Sequence, residues 1–204
     1  MSTSRGPLPT HEAGRTIDLV PVHVDPALPV HPFTVDDVHE MVRVGIIDPD
    51  AHVELLDGVL AEMSPQSRPH AYALRRLTAL AGPAAAAAGL ELNVQCPLDV
   101  GSDITLPEPD IAIAPVAGRD EYASAAVLVV ETGVTSVRYD LGRKADIYAS
   151  AGVPDYWVLD VQRRMLVVHR EPVDGCYANV RTLGALETVG AVALDLAVPV
   201  ASLL

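Results

Sequence analysis

The chain has 204 residues, enough for one domain with a substantial hydrophobic core, and this length argues against two full domains. Half of the residues are hydrophobic, a globular rather than a disordered composition. The formal net charge of −13, from 14 basic and 27 acidic residues, weakens a nucleic-acid-binding hypothesis. A local basic patch or a bound divalent cation could still override that net value.

The composition also bears on the compartment. The longest apolar stretch, 77–90, is too short to cross a bilayer and contains a Gly-Pro pair, so we expect no membrane segment. The N-terminal residues contain no apolar signal core. The two cysteines, Cys96 and Cys176, match no zinc-binding pattern. We interpret them as reduced thiols of a cytoplasmic protein.

The first elements are an arm and a short helix. Residues 1–33 carry several prolines and little periodicity, which predicts a flexible or extended N-terminal arm. Thr34 is a candidate N-cap, because Asp36 and Asp37 then fall in the first turn of a helix that runs to about Arg43.

A hairpin and a long helix are predicted next. An Asp-Gly pair at 57–58 lies between apolar residues, which is typical of a β-hairpin, here over 53–64. The Ala and Leu content that follows predicts a helix from about His70. A break is expected at Gly82-Pro83, because proline removes a helical hydrogen bond.

Strand-like segments fill most of the remaining chain. They occur, in order, at 91–100, 109–115, 126–132, 155–160, 164–171 and 176–183, and a last strand with a terminal turn is expected within 194–204. One further helix is predicted between the third and fourth of these strands. This order predicts a single domain over 34–204, in which helices flank a mixed sheet.

Lys144 lies on the apolar side of that further helix, predicted over 140–151. On a 3.6-residue wheel it shares a face with Leu141, Ile147 and Tyr148. A buried charge is costly unless it has a partner. Either the alkyl stem packs while the ammonium reaches water, or the ammonium pairs with carboxylates nearby in space. The sequence of the helix leaves both interpretations open.

Three acids lie on apolar strands. Asp110 precedes one strand, Glu131 ends another, and Glu54 lies inside a third apolar stretch. Each alone is best explained as an acid that faces water at a strand end. Together, carboxylates that converge from neighbouring strands would form an all-oxygen site for Mg²⁺ or Mn²⁺. A lysine beside such a site could orient water and offset charge that develops on a phosphate.

Longer strings carry a family resemblance. The segments "VELLDGVLAEMSPQSRPH", "PEPDIAI", "LVVE" and "YDLGRKADIYASAGVPDYWVLD" resemble the Uma-two family, which is classed with restriction endonucleases of the PD-(D/E)XK nuclease superfamily. The resemblance covers roughly residues 34–204. The superfamily's lysine usually stands two residues after the Glu, where this chain has Gly133. In the Uma-two family it lies on the following helix, where Lys144 is the matching residue.

The resemblance implies a restriction-endonuclease-like core of the α/β (α+β) class, with a central mixed β-sheet flanked by helices. It implies a Mg²⁺- or Mn²⁺-dependent endonuclease that hydrolyses DNA. Asp110 and Glu131 would ligate the metal, and Glu54 would be an additional ligand or a water-positioning acid. Lys144 would be the catalytic lysine.

Five more residues match the family. His70 opens the first core helix, and Asp140 precedes the lysine helix. The resemblance makes both of them supporting groups behind the metal ligands. Tyr148, Tyr156 and Trp157 match as well, and we interpret them as core and strand packing.

Two alternatives to a DNA endonuclease stay open. One is a binding or regulatory module that keeps the nuclease fold without cleavage. It is favoured by the acidic charge and by the segment after Glu131, which lacks the family's Ser-Pro-Ser-like turn. The other is a hydrolase of a different phosphodiester. Retention of all four catalytic positions favours the endonuclease. A homodimer is a further expectation, since restriction-type nucleases often dimerise to cut two strands.

Overall fold

The computed structural model of the chain describes residues 30–63, 65–133 and 137–204. Within these ranges the chain from residue 32 onward belongs to one compact unit. The arm predicted for 1–33 falls, except for its last four residues, outside the described residues and stays a prediction.

The described elements are short strands and few helices. The strands are β1 (Val53–Leu56), β2 (Val59–Glu62), β3 (Glu91–Val94), β4 (Leu98–Asp99), β5 (Ile111–Ala114), β6 (Ala123–Ser124), β7 (Leu128–Gly133), β8 (Asp155–Asp160), β9 (Met165–Val173), β10 (Cys176–Gly184), β11 (Thr188–Gly190) and β12 (Ala197–Pro199). The helices are α1 (Val35–Arg43), α2 (Arg68–Ala87), α3 (Val137–Tyr139), a π-helical turn (Asp140–Lys144), α4 (Ala145–Ser150) and a terminal 3₁₀ turn (Val200–Leu203).

A six-stranded mixed sheet forms the centre of the fold, with the order β10-β9-β8-β7-β5-β3. Only the central β7–β8 pair is parallel, and the other neighbours are antiparallel. All residues of β5, β7 and β8 are buried, because helices cover both faces. The predicted α/β (α+β) class, a mixed sheet flanked by helices, is confirmed.

Alternation along β7 assigns its residues to the two faces. Leu128 and Val130 pack in one hydrophobic cluster with the buried stripe of α2. Val129 packs in a second cluster with residues of α3 and α4. Glu131 has the same parity as Val129, so its side chain lies on the α3–α4 face. The two predicted helices therefore cover opposite faces of the sheet.

Local sequence signals explain several boundaries. The side chain of Thr34 accepts a hydrogen bond from the backbone N–H of Asp37, and the carboxylate of Asp37 accepts one from the backbone N–H of Thr34, so the predicted N-cap is confirmed as a capping box. The predicted hairpin is confirmed too. Asp57 and Gly58 both have positive φ, 52° and 76°, as a tight turn between β1 and β2 requires.

The break expected at Gly82-Pro83 is wrong, because α2 continues to Ala87. Pro83 removes the hydrogen bond to the carbonyl of Ala79. Both Pro83 and Ala79 are exposed, so water can satisfy that carbonyl and the helix tolerates the proline.

The helix that carries Lys144 differs from the prediction in which residues share a face. It begins at Val137, and a π-helical turn spans Asp140–Lys144. A turn with i→i+5 hydrogen bonds contains more residues than the 3.6 of the wheel. As a result Leu141 is exposed while Lys144 is buried, so the prediction that they share a face is wrong. Ile147 and Tyr148 are buried with Lys144, as predicted.

The predicted strands over 109–132 and 155–183 are confirmed in β5 and β7 to β10. The strand predicted over 91–100 is divided into β3 and β4. Strands β6 and β11 were not predicted, since two or three residues are too few to show a periodic pattern. Cys96 and Cys176 are exposed free thiols. Within the described ranges, no helix has both the length and the apolarity needed to cross a membrane.

Candidate active site

The site lies where β5 and β7 pair. Their register joins Ile111 to Val130, so one step further along the antiparallel ladder Asp110 stands opposite Glu131. Opposed residues of such a pair lie on the same face of the sheet. The side chain of Asp110 also accepts a hydrogen bond of 2.7 Å from the backbone N–H of Thr132, next to Glu131. The two predicted metal ligands are therefore neighbours.

Lys144 joins two of the predicted acids. Its ammonium nitrogen lies 3.0 Å from Oε1 of Glu131 and 2.9 Å from Oε2 of Glu54, and its side chain is only 6% exposed. Burial lowers the pKa of the ammonium, but the carboxylates of Glu131 and Glu54 raise it more, so the pKa lies above its ordinary value. The interpretation in which this ammonium reaches water is wrong, and the paired interpretation is confirmed.

Glu131 is buried at the centre of this hydrogen-bonded group. Its Oε1 accepts hydrogen bonds of 3.0 Å from Lys144 and 3.0 Å from the hydroxyl of Tyr148. Burial raises the pKa of Glu131 to about 8, against the lowering effect of Lys144. The carboxylates of Asp110, Asp140 and Glu54 add to the rise. The site therefore holds more negative charge than its lysine compensates.

Asp110 is held by donors from three directions. Its Oδ2 accepts from the backbone of Thr132, while its Oδ1 lies 2.9 Å from Nε2 of His70 and 3.2 Å from Nε2 of Gln95. A carboxylate can only accept, so the imidazole presents an N–H. The N-terminus of α2, capped by Ser67, places His70 here. This contact fits the supporting role implied for His70.

Asp140 lies near Glu131, at the start of the π-helical turn. It is buried, and its backbone carbonyl accepts a hydrogen bond of 3.0 Å from the hydroxyl of Tyr156. Its carboxylate faces β7, because a Cβ added to Gly133 would stand 3.0 Å from its Oδ2. Asp140 adds negative charge next to the site.

Two residues of the site were missed by sequence reasoning. Tyr148 was interpreted as packing. It is fully buried, and in addition its hydroxyl bonds Glu131. Its spacing of four residues from Lys144 on a helix could have suggested a shared target. Gln95 was not singled out, and its contact with Asp110 has no local signal in the sequence.

The donor set fits a hard divalent cation by its chemistry. Carboxylate oxygens are the ligands that Mg²⁺ and Mn²⁺ prefer, and a cation would offset the neighbouring negative charge that, in addition to burial, raises the pKa of Glu131. Asp110 and Glu131 would be the residues that hold such a cation, with Glu54 as a further carboxylate. Among the described residues, however, no group of three or more His, Cys, Asp or Glu side chains is arranged closely enough to hold a metal ion.

Two comparisons with known proteins bear on the chain, one on its fold and the other on its family. No curated protein matches the chain. A crystal structure of "a putative nuclease belonging to DUF820" from Anabaena variabilis ATCC 29413 superposes with a TM-score of 0.64 over 84% of this chain and 97% of that one. The two sequences are 12% identical, so this likeness concerns the fold alone.

A family model described as "Putative restriction endonuclease" matches residues 35–201, which include every residue of the site. The chain belongs to this family, Uma2, whose description is that of a restriction-endonuclease-like nuclease.

Proposed function

We propose that the protein is a Mg²⁺- or Mn²⁺-dependent endonuclease that hydrolyses phosphodiester bonds of DNA. The observation that carries the proposal is the position of Lys144, a buried ammonium held by Glu54 and Glu131 in the same site as Asp110. A buried ion pair is seldom a gain in stability over apolar packing, so a purely structural reason for it is weak.

Each polar group has a role in this proposal. Asp110 and Glu131 would hold the cation, and Glu54 is the other carboxylate, besides Glu131, that pairs with Lys144. When bound, the cation would supply positive charge to the phosphate and acidify a water molecule. Lys144 would donate hydrogen bonds to oxygens that gain charge during hydrolysis. His70 and Gln95 hold Asp110 in one orientation.

A local basic surface supports a nucleic-acid substrate despite the net charge of −13. Helix α2 has three arginines, one histidine and no acid in its 20 residues. Arg68, Tyr72 and Arg75 form an exposed stripe along it, and among the described residues neither of these two arginines has an ion-pair partner. Cations of this kind neutralise backbone phosphates.

One observation favours the alternative, a nuclease-fold binding module without cleavage. Within the described ranges the carboxylates are occupied by internal hydrogen bonds, and no three ligating side chains converge as a metal site requires. In that case the protein would bind nucleic acid without hydrolysing it.

The test is a cleavage assay at low ionic strength, since a strongly acidic chain holds DNA weakly as salt rises. Supercoiled plasmid, linear duplex and single-stranded DNA are incubated with Mg²⁺, with Mn²⁺ and with a chelator, alongside bis(p-nitrophenyl) phosphate as a generic phosphodiester. The proposal expects DNA cleavage that needs the cation and is lost in Asp110→Ala. Binding without cleavage by the wild type supports the module, and hydrolysis of the generic ester alone supports another phosphodiesterase.

Cutting both strands of a duplex would call for two active sites, so the proposal includes a homodimer. Light scattering of the wild type with and without duplex DNA measures its mass directly.

A further inference from the structure

A groove of about 470 Å³ opens beside the carboxylate site. It lies between the open end of the β1–β2 hairpin and the end of β3. Val53, Met63 and Pro65 contribute apolar walls, and His52, Gln66 and Gln95 contribute polar edges. Gln95 contacts Asp110, so the groove adjoins the site at this residue, and Val53 in its wall precedes Glu54 in β1.

Gln95 is held in an unusual conformation at the boundary of groove and site. Its φ of 49° is a left-handed value that residues with a side chain rarely adopt. Its backbone N–H donates to the carbonyl of Asp110 at 3.2 Å, and its side-chain Nε2 donates to Oδ1 of Asp110 at 3.2 Å. Uncommon backbone conformations of this kind cluster at functional sites. The amide of Gln95 thus links the groove to a predicted metal ligand.

The side-chain amide of Gln66, at the polar edge of the groove, has hydrogen-bonding capacity to spare. Its Nε2 donates to Oε1 of Gln95 at 2.6 Å, and among the described residues its side chain makes no other hydrogen bond. One N–H and the carbonyl oxygen of this exposed amide therefore remain available. An adjacent donor and acceptor on a glutamine match the N7 and N6 groups of adenine.

The charges of the groove select a base rather than a phosphate. Glu62 lines the groove, and Glu54 lies next to its wall, so a phosphate inside the groove would be repelled, and the phosphate of a bound nucleotide would lie outside it. A neutral, planar base fits the apolar walls and the amide edge.

We propose that this groove binds the base of the nucleotide next to the scissile phosphodiester, with Gln66 recognising adenine. The assignment of the scissile position rests on the proposed endonuclease function. Gln95, which contacts both Gln66 and Asp110, is a positioning residue between base recognition and the carboxylate site.

The first arm of the test needs no cleavage. Saturation-transfer NMR measures binding of dAMP, dGMP, dCMP and dTMP to the metal-free protein. The groove predicts a dissociation constant for dAMP that is about 5-fold or more lower than for the other three nucleotides, the scale of one paired base edge. Gln66→Leu removes the side-chain amide proposed to pair with adenine and should abolish this preference. Asn179→Leu, which removes an amide on β10 away from the groove, should keep it.

The second arm sequences the ends of cleaved DNA. Wild type and Asn179→Leu should show adenine enriched beside the cut, and Gln66→Leu should cut without that enrichment. Cleavage by the wild type with no base preference, or equal binding of the four nucleotides, would contradict adenine recognition in the groove. Neither result would contradict the proposed endonuclease function. If the wild type prefers dAMP, Gln66→Leu abolishes this preference, and the wild type never cuts DNA, the result supports adenine recognition in the groove. The same result contradicts the proposed endonuclease function.

Discussion

Gly133 and Asp140 approach each other so closely that a Cβ on Gly133 would stand 3.0 Å from a carboxylate oxygen of Asp140 and would collide with Val137. Gly133 is the position at which the superfamily resemblance expects the lysine. Helix α3 and the start of the π-helical turn fill the space that a side chain there would need. The ammonium reaches Glu131 from Lys144 instead, 13 positions further along the chain.

Gly133→Ala should destabilise the fold, because the new methyl group has no room against Val137. Overpacking of this kind costs about 1–3 kcal/mol. Thermal unfolding should show a melting temperature lower by about 5 °C for a chain of this size. Gly133→Ala with Val137→Ala should recover part of the loss. An unchanged melting temperature in the single variant would show that β7 and α3 are not packed as described.

Tyr148→Phe should slow DNA cleavage by about 10-fold with little change in KM. It removes one of the two donors on Oε1 of Glu131 and keeps the buried ring. A hydrogen bond to a charged group contributes about 1.5–3 kcal/mol. Tyr156→Phe is the matched control, because its hydroxyl donates to a backbone carbonyl. Equal cleavage rates in the wild type and both variants would show that Tyr148 serves only in packing.

The sequence predicted the order of strands because apolar runs of β5, β7 and β8 are bounded by turn residues, and both faces of these strands are buried. The helical wheel correctly placed Lys144 on the same face as Ile147 and Tyr148. It could not predict that Leu141 is exposed, since a π-helical turn leaves no periodic signal in the sequence.

The contacts of the amide side chains could not be predicted at all. Gln66 and Gln95 are 29 positions apart, and their meeting depends on how β3 ends against the hairpin. The hydroxyl of Tyr148 likewise acquires its partner only through the packing of α4 on β7. Long-range contacts between polar side chains carry no local pattern.

Mn²⁺ should raise the melting temperature of the wild type and leave that of Asp110→Ala unchanged. A ligand that binds only the folded state stabilises it in proportion to its occupancy, by about 2.7 kcal/mol at 100 times its dissociation constant. Calorimetry with Mn²⁺ gives the affinity independently. The same shift in both proteins would remove Asp110 as a ligand.

His169 should make the stability of the fold depend on pH. Burial lowers the pKa of His169 below its ordinary value, and the ring packs against Tyr156 and Tyr177. The neutral form is thus favoured in the folded state. Its stabilisation is present above about pH 6.5 and is lost as the pH falls further, with a slope of at most about 1.4 kcal/mol per pH unit.

His169→Phe keeps an aromatic ring and removes the titration. Denaturant unfolding between pH 7.5 and 5 should therefore show a steeper loss in the wild type than in this variant, while the carboxylates contribute equally to both. Parallel curves would contradict the buried, neutral histidine.

The most direct test of the central claim is cleavage by Lys144→Met in the presence of Mn²⁺. The substitution matches the stem and removes the cation, so the two buried carboxylates lose their partner and stability falls. Manganese binding should persist, because a competing cation has gone. Arg143→Met is the matched control, since Arg143 is largely exposed and pairs with Asp57.

If the single variant does not fold, Lys144→Met with Glu54→Gln removes one negative charge along with the cation and supplies a folded reference. We predict that a folded Lys144→Met protein binds Mn²⁺, yet cleaves DNA about 10²-fold or more slowly than the wild type and Arg143→Met. Cleavage by this protein at the wild-type rate would contradict the catalytic role of Lys144.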